Sequence, residues 1–186
     1  MHTKSPPHSE EALIRKAASN PSTFARLYQQ NVGRVYRYHL SRTGNVPDAQ
    51  DLTALTFTAA LEGIAGYSGR GSFCAWLFGI AHHLLAQHYR SDKGEYPLED
   101  ALGLPDPAPS TEAIADQHLE VSQILQVLRS LLPERAEALS LCVLADLSAA
   151  EAGQVMGKSE AAVKMLVFRG IRDLREKCAL ALQEEV

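Results

Sequence analysis

Residues 47–90 read PDAQDLTALTFTAALEGIAGYSGRGSFCAWLFGIAHHLLAQHYR, and the fold turns on this stretch. Pro47 and Asp48 open a helix, since Pro fits the first turn and Asp accepts bonds from orphan amides. Leu52, Leu55, Ala59 and Ile64 then recur at helical spacing and predict one apolar face. The helix stops in IAGYSGRGS, where Gly66, Gly69 and Gly71 permit turns that side chains resist. Ser72 caps a second helix with Phe73, Trp76, Leu77, Ile80, Leu84 and Leu85 as its core stripe. Two helices thus hold up a glycine loop that carries an aromatic, Tyr67, and a cation, Arg70.

Moving outward, the 186-residue chain has room for one ordinary domain or two small ones. Aromatics are sparse, and Val, Ile and Thr never cluster in alternating runs, so an all-α protein is expected. No apolar stretch is long enough to cross a membrane, and MHTKSPPHSEE lacks the apolar run of a secretion signal; the expected location is the cytoplasm. Cys74, Cys142 and Cys178 are odd in number and far apart, which favours buried thiols over disulfides or zinc.

The net charge of −4 argues against nucleic-acid binding only until it is divided by segment. Residues 1–90 carry nine Lys/Arg against five Asp/Glu, residues 91–118 one against seven, and residues 119–186 eight against ten. The acid is concentrated in the middle, in a stretch holding Pro97, Pro105, Pro107 and Pro109, the composition of an extended linker. It divides the chain into an N-terminal domain, 1–90, and a C-terminal domain, 119–186, joined by 91–118.

Upstream, SEEALIRKAAS predicts a short helix from Ser9, and PSTFARLYQQNVGRVYRYHLSRTG a longer one from Pro21. The longer helix places Phe24, Leu27, Tyr28, Val32, Val35, Tyr36 and Leu40 near one face, with Arg26, Arg34, Arg37 and Arg42 mainly outside. Beyond the linker, Leu119, Val121, Ile124, Leu125, Val127 and Leu128 make an amphipathic helix, and PERAEALSLCVLADL a second that buries Ala136, Leu139, Val143 and Leu144.

Ser148 and Glu151 then form a capping-box pattern that opens a short helix, Gly157 stops it, and Ser159 caps a long one. Short helix, tight turn and longer helix are helix-turn-helix geometry. Gly153 sits where the helices cross closely, and Val163 packs back between them. The second helix enters a major groove by its N-terminal end. That register brings Lys158, Ser159, Glu160, Ala162, Lys164 and Met165 nearest to bases and leaves Arg169 and Arg172 for phosphates.

DAQDLTALTF, Tyr67 with Gly69, and GSFCAWLFGIA together resemble the core-binding and minus-ten-binding region of bacterial extracytoplasmic-function (ECF) sigma factors. LLPERAEAL and LSAAEAGQVMGKSEAAVKMLVFRGIRDLRE are similar to the module of that family that reads the minus-thirty-five element. The resemblance spans about Phe24 to Arg90 and Leu119 to Glu176, in the family's order. It implies that Asp48, Asp51, Leu52 and Phe57 dock on core RNA polymerase. It also implies that Tyr67, Ser68, Gly69, Arg70, Ser72, His82, His83 and Arg90 bind the minus-ten region. A flipped base needs a pocket, a stacking wall and nearby backbone donors, which a glycine loop beside Tyr67 offers. The implied partners are core polymerase, promoter DNA as duplex and melted non-template strand, and an anti-sigma factor; no cofactor and no membrane insertion are implied.

The chain departs from the family at several points. Ala54 and Leu55 replace a usual Gln-Glu pair, Gly79, His82 and His83 stand where Arg or Asn is frequent, and Met165, Leu166 and Phe168 replace Ser, Arg and His. The last change favours apolar over bidentate base contact. His83 and His88, five residues apart, do not share a helix face, which argues against a metal site. With no paired carboxylates, phosphate loop or nucleophile elbow, enzymatic chemistry finds no support. Two other readings share these features: a conventional helix-turn-helix regulator binding duplex DNA without polymerase, and a polymerase-binding adaptor that has lost promoter opening.

Overall fold

The computed structural model describes residues 14, 17, 20–67, 71–92 and 123–184, and among them every regular element is helical. The helix expected from Ser9 and most of the linker lie outside these residues, although Ile14 and Ala17 are both buried in the core.

Helix α1, Pro21–Thr43, is capped by Asn20, whose carboxamide accepts from the Ser22 amide at 3.0 Å. It ends at Gly44, whose φ of 70° closes the last turn through a bond to the Leu40 carbonyl. Helix α2, Val46–Gly63, starts earlier than expected: Asn45 caps it and accepts from the Asp48 amide at 3.1 Å, so Asp48 lies in the first turn and is not the cap. A 3-10 turn, Ile64–Gly66, leads toward helix α3, Phe73–Asp92. Helix α1 packs on α2 and α2 on α3, around Leu27, Val35, Leu52, Phe57, Phe73, Leu77, Phe78 and Leu85.

Two predicted faces are rotated. Leu55 is 52 % exposed, and Thr56 takes the inward position instead. A buried threonine is tolerated there because its hydroxyl donates to the Leu52 carbonyl at 2.6 Å and meets His39 Nε2 at 3.0 Å. On α1 the buried set includes Asn31, Tyr38, His39 and Ser41, while Tyr28 is 42 % exposed. Apolar periodicity cannot register buried polar groups, so it missed the second buried face of α1.

In the C-terminal part, helix α4 covers residues 123–129 and α5 runs Pro133–Leu139. Helix α5 continues into a π turn, Ser140–Leu144, whose wider spacing is visible in the Ala145 amide bonding the Ser140 carbonyl five residues back. The π turn changes the phase: Leu141 and Ala145 are buried and Val143, expected inside, is 58 % exposed. Ile124, also expected on the packed face of its helix, is exposed. Helices α6, Ala149–Met156, and α7, Glu160–Glu184, complete the module, with α7 packed on α5 and α6.

The two parts share one core. Leu141, Ala145, Leu147, Ala152 and Val163 join the cluster containing Val35, Tyr38 and Phe78, and α6 packs directly on α3.

Candidate promoter and polymerase interface

Of the four residues expected to meet polymerase, the α2 backbone puts two outward and two inward. Asp51 is exposed, and Asp48 is partly exposed with His88 Nε2 at 3.8 Å from its carboxylate. Leu52 and Phe57 are buried, the latter edge-on against Tyr28 with ring centres 4.7 Å apart. They support the helix from behind and present no contact surface. The outward large apolar residues of α2 are Val46, Leu55 and Leu61. Sequence reading assigned Leu55 to the core, although its side of the helix also carries exposed Asp51 and Thr58.

In the connection to α3, Ser68, Gly69 and Arg70 lie outside the described residues. Tyr67 donates from its hydroxyl to the Gly71 carbonyl at 2.9 Å and rests its ring against Trp76 and Phe73, with centres 5.3 Å and 6.3 Å away. Gly71 has a φ of 83°, the left-handed conformation that glycine tolerates best. Ser72 caps α3 as expected, its hydroxyl accepting from the Ala75 amide at 3.1 Å. Along α3, His83 and Arg90 are exposed, His83 within 2.9 Å of the Gln87 carboxamide. His82 is turned toward the C-terminal module.

The helix-turn-helix has the anticipated geometry. Ser148 and Glu151 form the reciprocal capping box. A Cβ on Gly153 would stand 2.6 Å from the Lys158 carbonyl oxygen, Gly157 turns with φ 65°, and Val163 is fully buried. Ser159 accepts from the Ala162 amide at 3.2 Å. The outward stripe of α7 holds Ala161, Lys164, Met165, Phe168, Arg169 and Arg172. Met165 and Phe168 are 49 % and 66 % exposed, unusual for large apolar groups without a partner surface. Lys158 pairs with Glu134 at 2.8 Å and Lys164 with Glu160 at 2.6 Å, so both cations are already partnered. Arg172 lies at 3.7 Å from Asp173 and Glu176, and Ala162 is half-buried.

Sequence reading missed a polar cluster between the modules. Glu137 of α5 is 7 % exposed and reaches between α1 and α3. Its Oε1 accepts from the Tyr38 hydroxyl at 2.8 Å and lies 3.0 Å from His82 Nδ1; its Oε2 is 3.2 Å from Arg42 Nε. That last contact is an ion pair without hydrogen-bond alignment. Burial alone would push the Glu137 carboxyl up, but the His82 bond and the Arg42 charge outweigh it and hold the group below its usual value. His82 is correspondingly raised, chiefly by its bond to Glu137.

Beside this cluster the Ser41 hydroxyl donates to Ser140 at 2.9 Å. Arg34 donates to the Ala145 and Asp146 carbonyls at 2.8 Å and 2.9 Å, and Arg37 to the Leu144 carbonyl at 3.0 Å. Arg34 and Arg42, expected outside, are therefore turned onto the second module, and Arg37, though exposed as expected, reaches it too; Arg34 and Arg37 satisfy carbonyls left open at the end of a helix, while Arg42 pairs with Glu137.

A module of three helices followed by a helix-turn-helix module matches the class of sigma-70-type transcription proteins. Residues 27–95 match the family model of sigma-70 region 2, and residues 122–174 that of sigma-70 region 4. The chain belongs to the ECF RNA polymerase sigma factor family. It is 32 % identical to the ECF sigma factor SigM of Bacillus subtilis over 82 % of this chain and 93 % of the relative. It is 36 % identical to the ECF sigma factor BldN of Streptomyces coelicolor over 88 % of this chain, and spans 63 % of that longer relative. The fold is shared with CnrH, solved in complex with the cytosolic domain of CnrY, at a TM-score of 0.73 and 22 % identity over 92 % of this chain and 97 % of the other.

Proposed function

We propose that the protein binds core RNA polymerase, recognises promoter DNA and opens it for transcription initiation. The observation that carries this reading is the presence in one chain of a region 2 module followed by a region 4 module with a solvent-facing reading helix. The modules correspond to the segments 1–90 and 119–186, joined by the acidic segment 91–118.

In this reading the outer face of α2, with Asp48, Asp51, Leu55 and Leu61, docks on polymerase. The segment Tyr67 to Ser72, including Ser68, Gly69 and Arg70, holds the unstacked base, while His83 and Arg90 follow the backbone. Helix α7 enters the minus-thirty-five major groove. Lys158, Ser159, Glu160, Ala162 and Lys164 flank its entry, Met165 and Phe168 meet thymine methyl groups, and Arg169 and Arg172 meet phosphates. An anti-sigma factor is the partner this reading adds, as the sigma factor RpoE of Bartonella quintana is solved in complex with the anti-sigma factor NepR. The place of action is the cytoplasm, and catalysis belongs to the polymerase; no described helix is long and apolar enough to cross a membrane.

Reconstitution with bacterial core RNA polymerase on a promoter library tests the reading. Wild type should associate and give start-site-specific transcripts, whereas Asp51→Arg, which reverses a charge on the docking face, should lose both. Tight duplex binding with no polymerase association would make the chain a conventional regulator, and association without transcripts from any promoter would make it an adaptor.

A further inference from the structure

Of the three residues by which α7 departs from its family, Leu166 packs against the core, whereas Met165 and Phe168 stay exposed on the outward stripe. That stripe is held from behind. A Cβ on Gly170 would stand 2.9 Å from Leu139 Cδ1 of α5, and one on Gly153 of α6 2.6 Å from the Lys158 carbonyl oxygen in the turn, so α7 is seated closely on both helices. The two apolar groups, three residues apart, share one face and lie about 4.5 Å apart along the helix axis, close to the rise of about 3.4 Å between base pairs.

The lysines at the entry of α7 are partnered, Lys164 with Glu160 at 2.6 Å and Lys158 with Glu134 at 2.8 Å. Thioether and phenyl groups cannot pair with the donors and acceptors that adenine, guanine and cytosine present in the major groove, and set against them they displace water from polar edges without replacing its bonds. Thymine alone of the four bases offers an apolar group there, its C5 methyl. 5-Methylcytosine carries the same group at the same ring position.

We propose that α7 reads its element through C5 methyl groups at two neighbouring base pairs, one under Met165 and one under Phe168, and that it accepts 5-methylcytosine in place of thymine at both. Methylation of a cytosine in the element then tightens binding, so that DNA modification becomes an input to promoter choice. The minus-thirty-five element as the site comes from the sigma reading, on which this inference rests; the contact itself requires only duplex DNA.

The test measures binding of the full-length chain with core polymerase to a promoter selected from the library, each thymine of the minus-thirty-five element being replaced singly by deoxyuridine. Deoxyuridine keeps the pairing and every hydrogen-bonding group of thymine and lacks only the methyl. Wild type is expected to lose about fourfold in affinity at each of two neighbouring pairs, the worth of one buried methyl, and to bind 5-methylcytosine there about fourfold better than cytosine. Met165→Ser should abolish the effect at one pair and Phe168→Ala at the other; both side chains face solvent, and circular dichroism checks that each variant keeps its helices. Undiminished binding to every deoxyuridine duplex would overturn the proposal, as would a selected element without thymine or equal losses in wild type and both variants. Should the chain fail to associate with polymerase, the same substitutions are made in duplexes selected by the chain alone: the fourfold losses there would support the methyl readout and overturn the sigma reading instead.

Discussion

His39 is fully buried between α1 and α2, with Nε2 3.0 Å from the Thr56 hydroxyl and Nδ1 without a hydrogen-bond partner. Burial lowers it from 6.5 to about 4, a shift that the Glu137 charge opposes and His88 reinforces. The unfolded chain therefore binds a proton that the folded chain refuses between these values. His39 contributes full stability above pH 6.5, and that contribution is lost as pH falls toward 4, by about 3 kcal/mol at 1.36 kcal/mol per unit. His82 acts in the opposite sense: its raised value makes its contribution complete below 6.5 and lost as pH rises through the folded value. Urea unfolding followed across this range should show the acid loss in wild type and a flatter profile in His39→Gln. Gly153 makes a second prediction at this scale. With a backbone oxygen 2.6 Å from any added Cβ, Gly153→Ala should cost about 1–3 kcal/mol as an overpacked crossing and weaken duplex binding by α7.

The helices themselves were legible because their ends are chemically marked. Ser148 with Glu151, Gly157 and Ser159 are local signals, and each does in the structure what its residue type predicts. Ser148→Ala removes the cap from α6 and should lower the stability of the C-terminal module by about 1 kcal/mol in thermal unfolding. What periodicity misread is phase. It assigned Leu55 to the core, where Thr56 sits by satisfying its hydroxyl within the helix, and Val143 likewise, where a π turn inserts an extra residue into the repeat. Neither device leaves an apolar signature. The same error hid the outer face of α2: exposed Leu55 and Leu61 belong to the proposed polymerase contact, and Leu55→Arg should reduce association in a pull-down with core polymerase while leaving helical content unchanged.

At the scale of the whole molecule the two modules and their order could be read from sequence, but their docking could not. The contact depends on Leu141, Ala145, Leu147 and Ala152 sharing a core with Val35 and Phe78, on Glu137 meeting Tyr38, Arg42 and His82, and on arginines that an isolated helix would present to water. The charged residues among them suit a solvated surface equally well, and only a partner such as the one 99 residues away in the Tyr38 to Glu137 bond reveals the difference. In this arrangement the outward face of α7 is exposed, and Gln154 of α6 lies beside Gly71. The most direct measurement is the fluorescence of 2-aminopurine placed in the non-template strand of the minus-ten element, on a promoter selected from the library. The account predicts that fluorescence rises when this protein and core polymerase are added together and with neither alone, as the strands part and the probe unstacks. No rise on any promoter to which the complex binds would contradict it.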